Sequence, residues 1–134
     1  MDIKKDLFIT VDRKKHKYFL YLYTFFLVII STVNFPAPLD QTNEFFLFNI
    51  PNIDKFIHFI LYFFCSFFYY RSFPNIIASV LYGSLLGIFL EIVQYFTPDR
   101  FFDFRDILAN ICGSTIFALI IYLKKSSVKL PSNK

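Results

Sequence analysis

Apolar residues in this chain fall into four long blocks that are separated by short polar segments. A helix needs about 20 mainly apolar residues to cross the hydrocarbon core of a bilayer, and the blocks approach or reach that length. The second block, 56–70, is short, so we expect its helix to include Asp54 and Lys55, with the Lys55 ammonium extending to the interface. The predicted membrane spans therefore cover about residues 18–35, 54–70, 75–96 and 106–123.

The distribution of Lys and Arg predicts the orientation of this all-α integral membrane four-helix bundle, which occupies residues 18–125. If the N-terminus lies inside, the inner segments hold 11 of the 14 basic residues and the outer segments hold 3. Such an excess is typical of cytoplasmic segments. We therefore predict that both termini are cytoplasmic, as a basic N-terminal segment (1–17) and a basic tail (126–134).

The first outer segment, residues 36–54, contains the apolar stretch 45–50. Six residues are too few to span a bilayer. The stretch can lie in the interface and dip over the helices, or it can belong to an ordinary loop with a few buried aromatic side chains. The sequence leaves both possibilities open.

The composition agrees with a membrane protein and narrows its partners. Of the 134 residues, 56% are hydrophobic and 18% are charged, against about 25% charged in soluble domains. The net charge of +4 comes mainly from residues near the two ends, so it indicates topology rather than a nucleic-acid partner. Cys65 and Cys112 show neither a metal spacing nor a disulfide framework, and the sequence predicts no cofactor and no metal ion.

Glu91 is the most unusual residue of the third block. A carboxylate at mid-membrane costs ~2.5–3.5 kcal/mol on insertion scales, so we expect a polar partner or a function to account for its presence. With the predicted topology, the polar residues at the ends of three helices meet at the outer face. These candidate site residues are Asp54, Lys55, His58, Glu91, Gln94, Arg100, Asp103, Asp106 and Asn110.

Helical geometry predicts that these polar residues face the interior of the bundle. At ~100° per residue, Glu91 and Gln94 share one face with Gly83 and Gly87, which form a GxxxG pattern. By the same geometry Asp106 and Asn110 share a face with Gly113. We interpret the three glycines as helix-packing positions.

The chemistry of this cluster admits several interpretations. Glu91 or His58 could transfer protons, and Arg100 or Arg105 could bind a phosphate or carboxylate. A divalent cation at His58, Glu91, Asp106 and Asn110 is a further alternative that no ligand spacing supports. The structural alternative is that Glu91 pairs with Lys55, Arg100 or Arg105 and that Asp106 only caps the fourth helix.

Three sequence blocks resemble the VanZ-like family. They are Asp-Lys-x-x-His at 54–58, Glu-x-x-Gln at 91–94, and Arg-x-x-Asp-x-x-Asp-x-x-x-Asn-x-x-Gly at 100–113, in that order. The resemblance covers about residues 50–120. It implies a small, helical, multi-pass protein of the bacterial cytoplasmic membrane, in a family whose naming member is associated with low-level resistance to teicoplanin.

We therefore predict an extracytoplasmic polar site that engages membrane lipid, a lipid-linked envelope precursor or a glycopeptide. No nucleophile motif indicates an enzyme, although an intramembrane enzyme acting on a lipid-linked phosphate or ester is an alternative. A small ion- or proton-coupled transporter component is another, weakened because the polar groups lie near one face only. The sequence leaves the ligand and the oligomeric state open.

Overall fold

Four helices account for almost all of the structure, a computed structural model that describes residues 3–33, 52–98 and 102–128, with side chains from residue 13 to residue 126. In these ranges the predicted all-α class is confirmed, and no strand is present. The predicted stretch 45–50 lies outside them. In chain order the helices are α1 (Ile3–Thr32), α2 (Ile53–Ser72), α3 (Ile76–Tyr95) and α4 (Phe104–Val128).

Short polar side chains set where two of the helices begin. The Asn75 side chain accepts a hydrogen bond from the Ala78 backbone N–H at 3.1 Å, which caps α3 directly after Pro74. Asp103 does the same for α4, because its Oδ1 accepts from the Arg105 backbone N–H at 2.8 Å. The alternative in which Asp106 caps α4 is therefore wrong. The helix starts before its apolar block, and Asp106 lies within its first turn.

Helix α2 is the central element of the bundle. It packs against α4, α1 and α3, and α3 also packs against α4 and α1. Two hydroxyl groups fix α1 in place: the Tyr23 hydroxyl donates to the Leu61 carbonyl of α2 at 2.8 Å, and Thr24 and the Tyr82 hydroxyl of α3 lie 2.7 Å apart. The bundle thus positions the end of α1, the start of α2, the end of α3 and the start of α4 on one side.

Small residues allow α2, α3 and α4 to approach closely. Ser66 is fully buried and donates to the Ser79 carbonyl of α3 at 3.0 Å. Gly83 lies against the hydroxyls of Ser66 and Ser114. Gly113 of α4 lies so near α2 that an added Cβ would overlap the Phe59 carbonyl. Such contacts are how helices associate where no hydrophobic effect drives them together.

The outer surface of the bundle is apolar. On α3, Ile77, Leu81, Leu85 and Phe89 face outward, and each is more than half exposed. A soluble monomer rarely exposes so continuous an apolar surface. Helix α3 and the Phe104–Ser126 part of α4 are each long and apolar enough to cross a membrane.

The close approach at Gly113 generates the first prediction. Gly113→Ala should lower the melting temperature in detergent, because the new methyl group meets the fixed Phe59 backbone. Overpacking of this kind costs roughly 1–3 kcal/mol, which outweighs the gain of about 1 kcal/mol in helix propensity.

Gly83→Ala is the matched comparison, because its Cβ meets serine side chains that can rotate. We expect a smaller loss for this variant when both are followed by circular dichroism. A Gly113→Ala protein that melts at or above the wild-type temperature would contradict the proposed backbone contact.

Candidate functional site

Glu91 lies buried where α3 ends, with only 1% of its surface exposed. Its Oε1 accepts a hydrogen bond from the Asp103 backbone N–H at 3.0 Å. Gln94, one turn further along α3, is also buried. The face shared with Gly83 and Gly87 thus points into the bundle, since both glycines are buried as well.

Lys55 binds three aspartates rather than Glu91. Its ammonium group donates to Asp54 of its own helix and to Asp103 at 2.7 Å, and lies 3.1 Å from Asp106 Oδ1. These contacts tie the start of α2 to the start of α4. Within the described residues, no Lys or Arg forms an ion pair with Glu91. The predicted alternative partner Arg100 lies outside those residues.

His58 is oriented by a hydrogen bond to α4. Its Nδ1 lies 3.0 Å from Asn110 Oδ1, and since that oxygen can only accept, Nδ1 carries the proton. The opposite ring nitrogen, Nε2, lies 3.8 Å from Asp106 Oδ2. A Cβ at Gly87 would collide with Asn110, so the glycine also makes room for the residue that orients His58.

A cavity of about 280 Å³ opens beside Glu91 between α1, α2 and α3. One part of its wall is polar and comes from α2 and α3, and another part is apolar and includes residues of α1. Its lining consists of Leu27, Ile30, Ser31, Asp54, Ile57, His58, Leu61, Tyr62, Leu90, Glu91 and Gln94.

Sequence reasoning gave α1 no part in this site, yet Leu27, Ile30 and Ser31 contribute to the lining. Ser31 is buried, and its only signal in the sequence is a hydroxyl near the end of an apolar block. Tyr62 lies one turn after His58 on the same face of α2, the face that helical periodicity directs into the bundle, and it lines the cavity.

The structure brings most of the predicted site residues together at one end of the bundle. Arg100 alone among them lies outside the described residues. Arg105 is exposed, and its backbone serves the Asp103 cap. The residues that share hydrogen bonds, ion pairs or the cavity wall are Asp54, Lys55, His58, Glu91, Gln94, Asp103, Asp106 and Asn110.

Three of these side chains could hold a cation together. One ligand atom each from His58, Glu91 and Asp106 lies within 4.8 Å of the others. They come from α2, α3 and α4, respectively. No spacing along a single helix could have revealed the group.

Lys55 sets the electrostatic environment of Asp103, the residue that precedes α4. Its ammonium group, together with the Arg105 backbone N–H, holds the pKa of Asp103 below its usual range. Asp103 therefore carries a negative charge at neutral pH while it caps α4.

Comparison with known proteins decides the family. The family model described as VanZ/LLP1 matches residues 8–125. The chain belongs to the VanZ/LLP1 family. The predicted resemblance is confirmed, and the match reaches beyond residues 50–120 to include most of α1. Searches of curated proteins and of solved structures gave no match. All three VanZ-like sequence blocks contribute to the polar end described above.

The two roles of Asp103 can be separated by substitution. Asn caps helices about as well as Asp, so Asp103→Asn should keep the cap and lose only the attraction to Lys55. Asp103→Ala should lose both. We expect melting temperatures at pH 7 in the order wild type, then Asp103→Asn, then Asp103→Ala.

The stability difference between wild type and Asp103→Asn should also depend on pH. Because the folded-state pKa of Asp103 is lowered, its contribution is complete above the unfolded value, near 4, and is lost as the pH falls below it. The difference between wild type and Asp103→Asn should therefore shrink toward pH 3. A difference that stays constant from pH 7 to pH 3 would show that the Lys55–Asp103 pair does not stabilise the fold.

Proposed function

We propose that this VanZ/LLP1 protein crosses the bacterial cytoplasmic membrane four times, with both termini in the cytoplasm and the Glu91 end outside. Basic groups at the other end of the bundle support this orientation. The Lys17 ammonium lies 4.9 Å from the centre of the Phe73 ring, and Lys125 lies 5.2 Å from that of Tyr70. Arg71 is at the same end, 2.8 Å from His16. Positive charge of this kind favours the cytoplasmic side.

The function we propose is recognition of a polar group of the cell envelope by the outward cavity. The observation that carries this proposal is the buried Glu91, which lines the cavity beside His58 and Gln94 without an ion-pair partner among the described residues. An ionisable group inside a membrane protein is expensive to keep, and such groups are most often functional.

The size and lining of the cavity favour one class of ligand. At about 280 Å³ it lies near the lower limit of small-molecule sites, so it would admit a lipid headgroup or one sugar but not a whole glycopeptide. Carboxylate, amide and imidazole groups suit hydroxyl, amide and ammonium groups. The neighbouring apolar side chains suit the start of an acyl or polyprenyl chain. A lipid-linked envelope precursor or lipid headgroup combines these features.

The orientation can be tested with reporter fusions. A fluorescent protein joined after Lys125 should fold and fluoresce, because that end lies in the cytoplasm. Alkaline phosphatase joined after Phe96 should be active, because that connection lies outside. The reverse result at both positions would invert the bundle and place the Glu91 cavity on the cytoplasmic side.

The site can be tested through glycopeptide susceptibility. Expression of the wild-type chain in a susceptible host should raise the inhibitory concentration of teicoplanin, and Glu91→Gln should abolish the increase. Gln has the same shape and can still accept from the Asp103 backbone N–H, so the fold should persist. Tyr95→Phe is the matched control, because Tyr95 is on the same helix but 63% exposed.

All three proteins must be present in the membrane fraction in equal amounts. If the inserted wild-type protein leaves the inhibitory concentration unchanged, it does not confer resistance in that host. If wild type, Glu91→Gln and Tyr95→Phe all raise it equally, resistance does not depend on the cavity.

A further inference from the structure

The polar end of the bundle carries more negative than positive charge. Among the described residues, four carboxylates, those of Asp54, Glu91, Asp103 and Asp106, face two cations, Lys55 and the exposed Arg105. Lys55 contacts all three aspartates, and the partner of Glu91 among the described residues is the Asp103 backbone N–H. Among the described residues, two negative charges are left over when His58 is neutral. Glu91 and Asp106 are the most buried carboxylates of the group, and a buried charge is costly unless a cation or a proton balances it.

Three side chains at this end of the bundle place possible metal-ligand atoms close together. Donor atoms of His58, Glu91 and Asp106 lie within 4.8 Å of one another, and His58 Nε2 and Asp106 Oδ2 lie 3.8 Å apart. Two ligands of one tetrahedral zinc ion, each about 2.0–2.2 Å from it, are separated by roughly 3.3 Å. Side-chain rotation can close the remaining gap.

The orientation of His58 is the independent sign of a metal ligand. Its Nδ1–H donates to Asn110 Oδ1 at 3.0 Å, so the lone pair is on Nε2, the ring nitrogen 3.8 Å from Asp106 Oδ2. Metal-binding histidines are held in the same way, by an acceptor on the nitrogen that does not bind the ion. Asn110 is almost completely buried, so this support is fixed within the bundle.

The cavity and the ligand types also suit a metal ion. His58 and Glu91 line the cavity beside α1, which gives an ion a path to the site and leaves room for a further ligand such as water. One imidazole and two carboxylates suit zinc or manganese better than calcium or magnesium, which prefer oxygen ligands alone.

We propose that His58, Glu91 and Asp106 form a binding site for one divalent transition-metal ion of the zinc or manganese type. The site goes beyond the proposed recognition of an envelope component, because it assigns an ion to the wall of the cavity. Metal binding is measured on the purified chain, so it can fail or succeed separately from any effect on teicoplanin susceptibility.

The experiment titrates the full-length chain in detergent micelles with Zn²⁺ by calorimetry and with Co²⁺ by visible absorption. We expect one ion per chain and a Co²⁺ spectrum that changes when His58 is replaced by Gln. Loss of a supporting group alone weakens metal sites about 10–100-fold, so Glu91→Gln and His58→Gln should each weaken Zn²⁺ binding at least about tenfold.

Asp103→Asn is the matched control. It removes one carboxylate from the same cluster, but Asp103 is neither one of the three proposed ligands nor part of the cavity wall. Its affinity should stay within about twofold of wild type, given that the lost charge is partly exposed and screened. Helical content and elution volume establish that each variant is folded. If a His58 variant misfolds, the Glu91→Gln comparison with Asp103→Asn carries the test.

Two results would overturn the proposal. One is a folded wild-type chain that binds no stoichiometric Zn²⁺. The other is a set in which Asp103→Asn weakens binding as much as Glu91→Gln, because the ion would then respond to general negative charge rather than to the three ligands.

Discussion

The polar end of this bundle depends on the ammonium group of Lys55. It reaches from the first turn of α2 to Asp103 and Asp106, and so fixes where α4 begins. Asp103 in turn caps α4 and presents its backbone N–H to Glu91 at the end of α3. One flexible side chain thus connects three helices. Because the Lys55 ammonium group pairs with the aspartates, it does not pair with Glu91, and both Glu91 and His58 face the cavity.

Much of this arrangement follows from helical periodicity. Four apolar blocks predict four helices, and the common face of Gly83, Gly87, Glu91 and Gln94 predicts which side of α3 is buried. The same geometry placed Asn110 and Gly113 on the inner side of α4. These inferences worked because burial in a bundle depends on spacing along one helix.

Features that depend on two or more helices could not be predicted in the same way. The contact of Lys55 with three aspartates depends on the rotamer of a long side chain, and the His58–Asn110 pair depends on how α2 and α4 rotate about their axes. The start of α4 was also misplaced, because Phe104 and Arg105 precede the apolar block and gave no periodic signal. The extension of α1 to Ile3 was missed for the same reason.

Different helices supply the polar and the apolar parts of the cavity wall, and this has a consequence for ligand specificity. Helices α2 and α3 supply the ionisable groups of the cavity wall, whereas α1 supplies Leu27, Ile30 and Ser31 and is held by apolar packing together with the Tyr23 and Thr24 hydroxyls. Substitutions on α1 can therefore reshape the cavity without disturbing the charged network. In an engineered series, α1 would be an exchangeable wall: one bundle with one set of polar groups could accept ligands of different width.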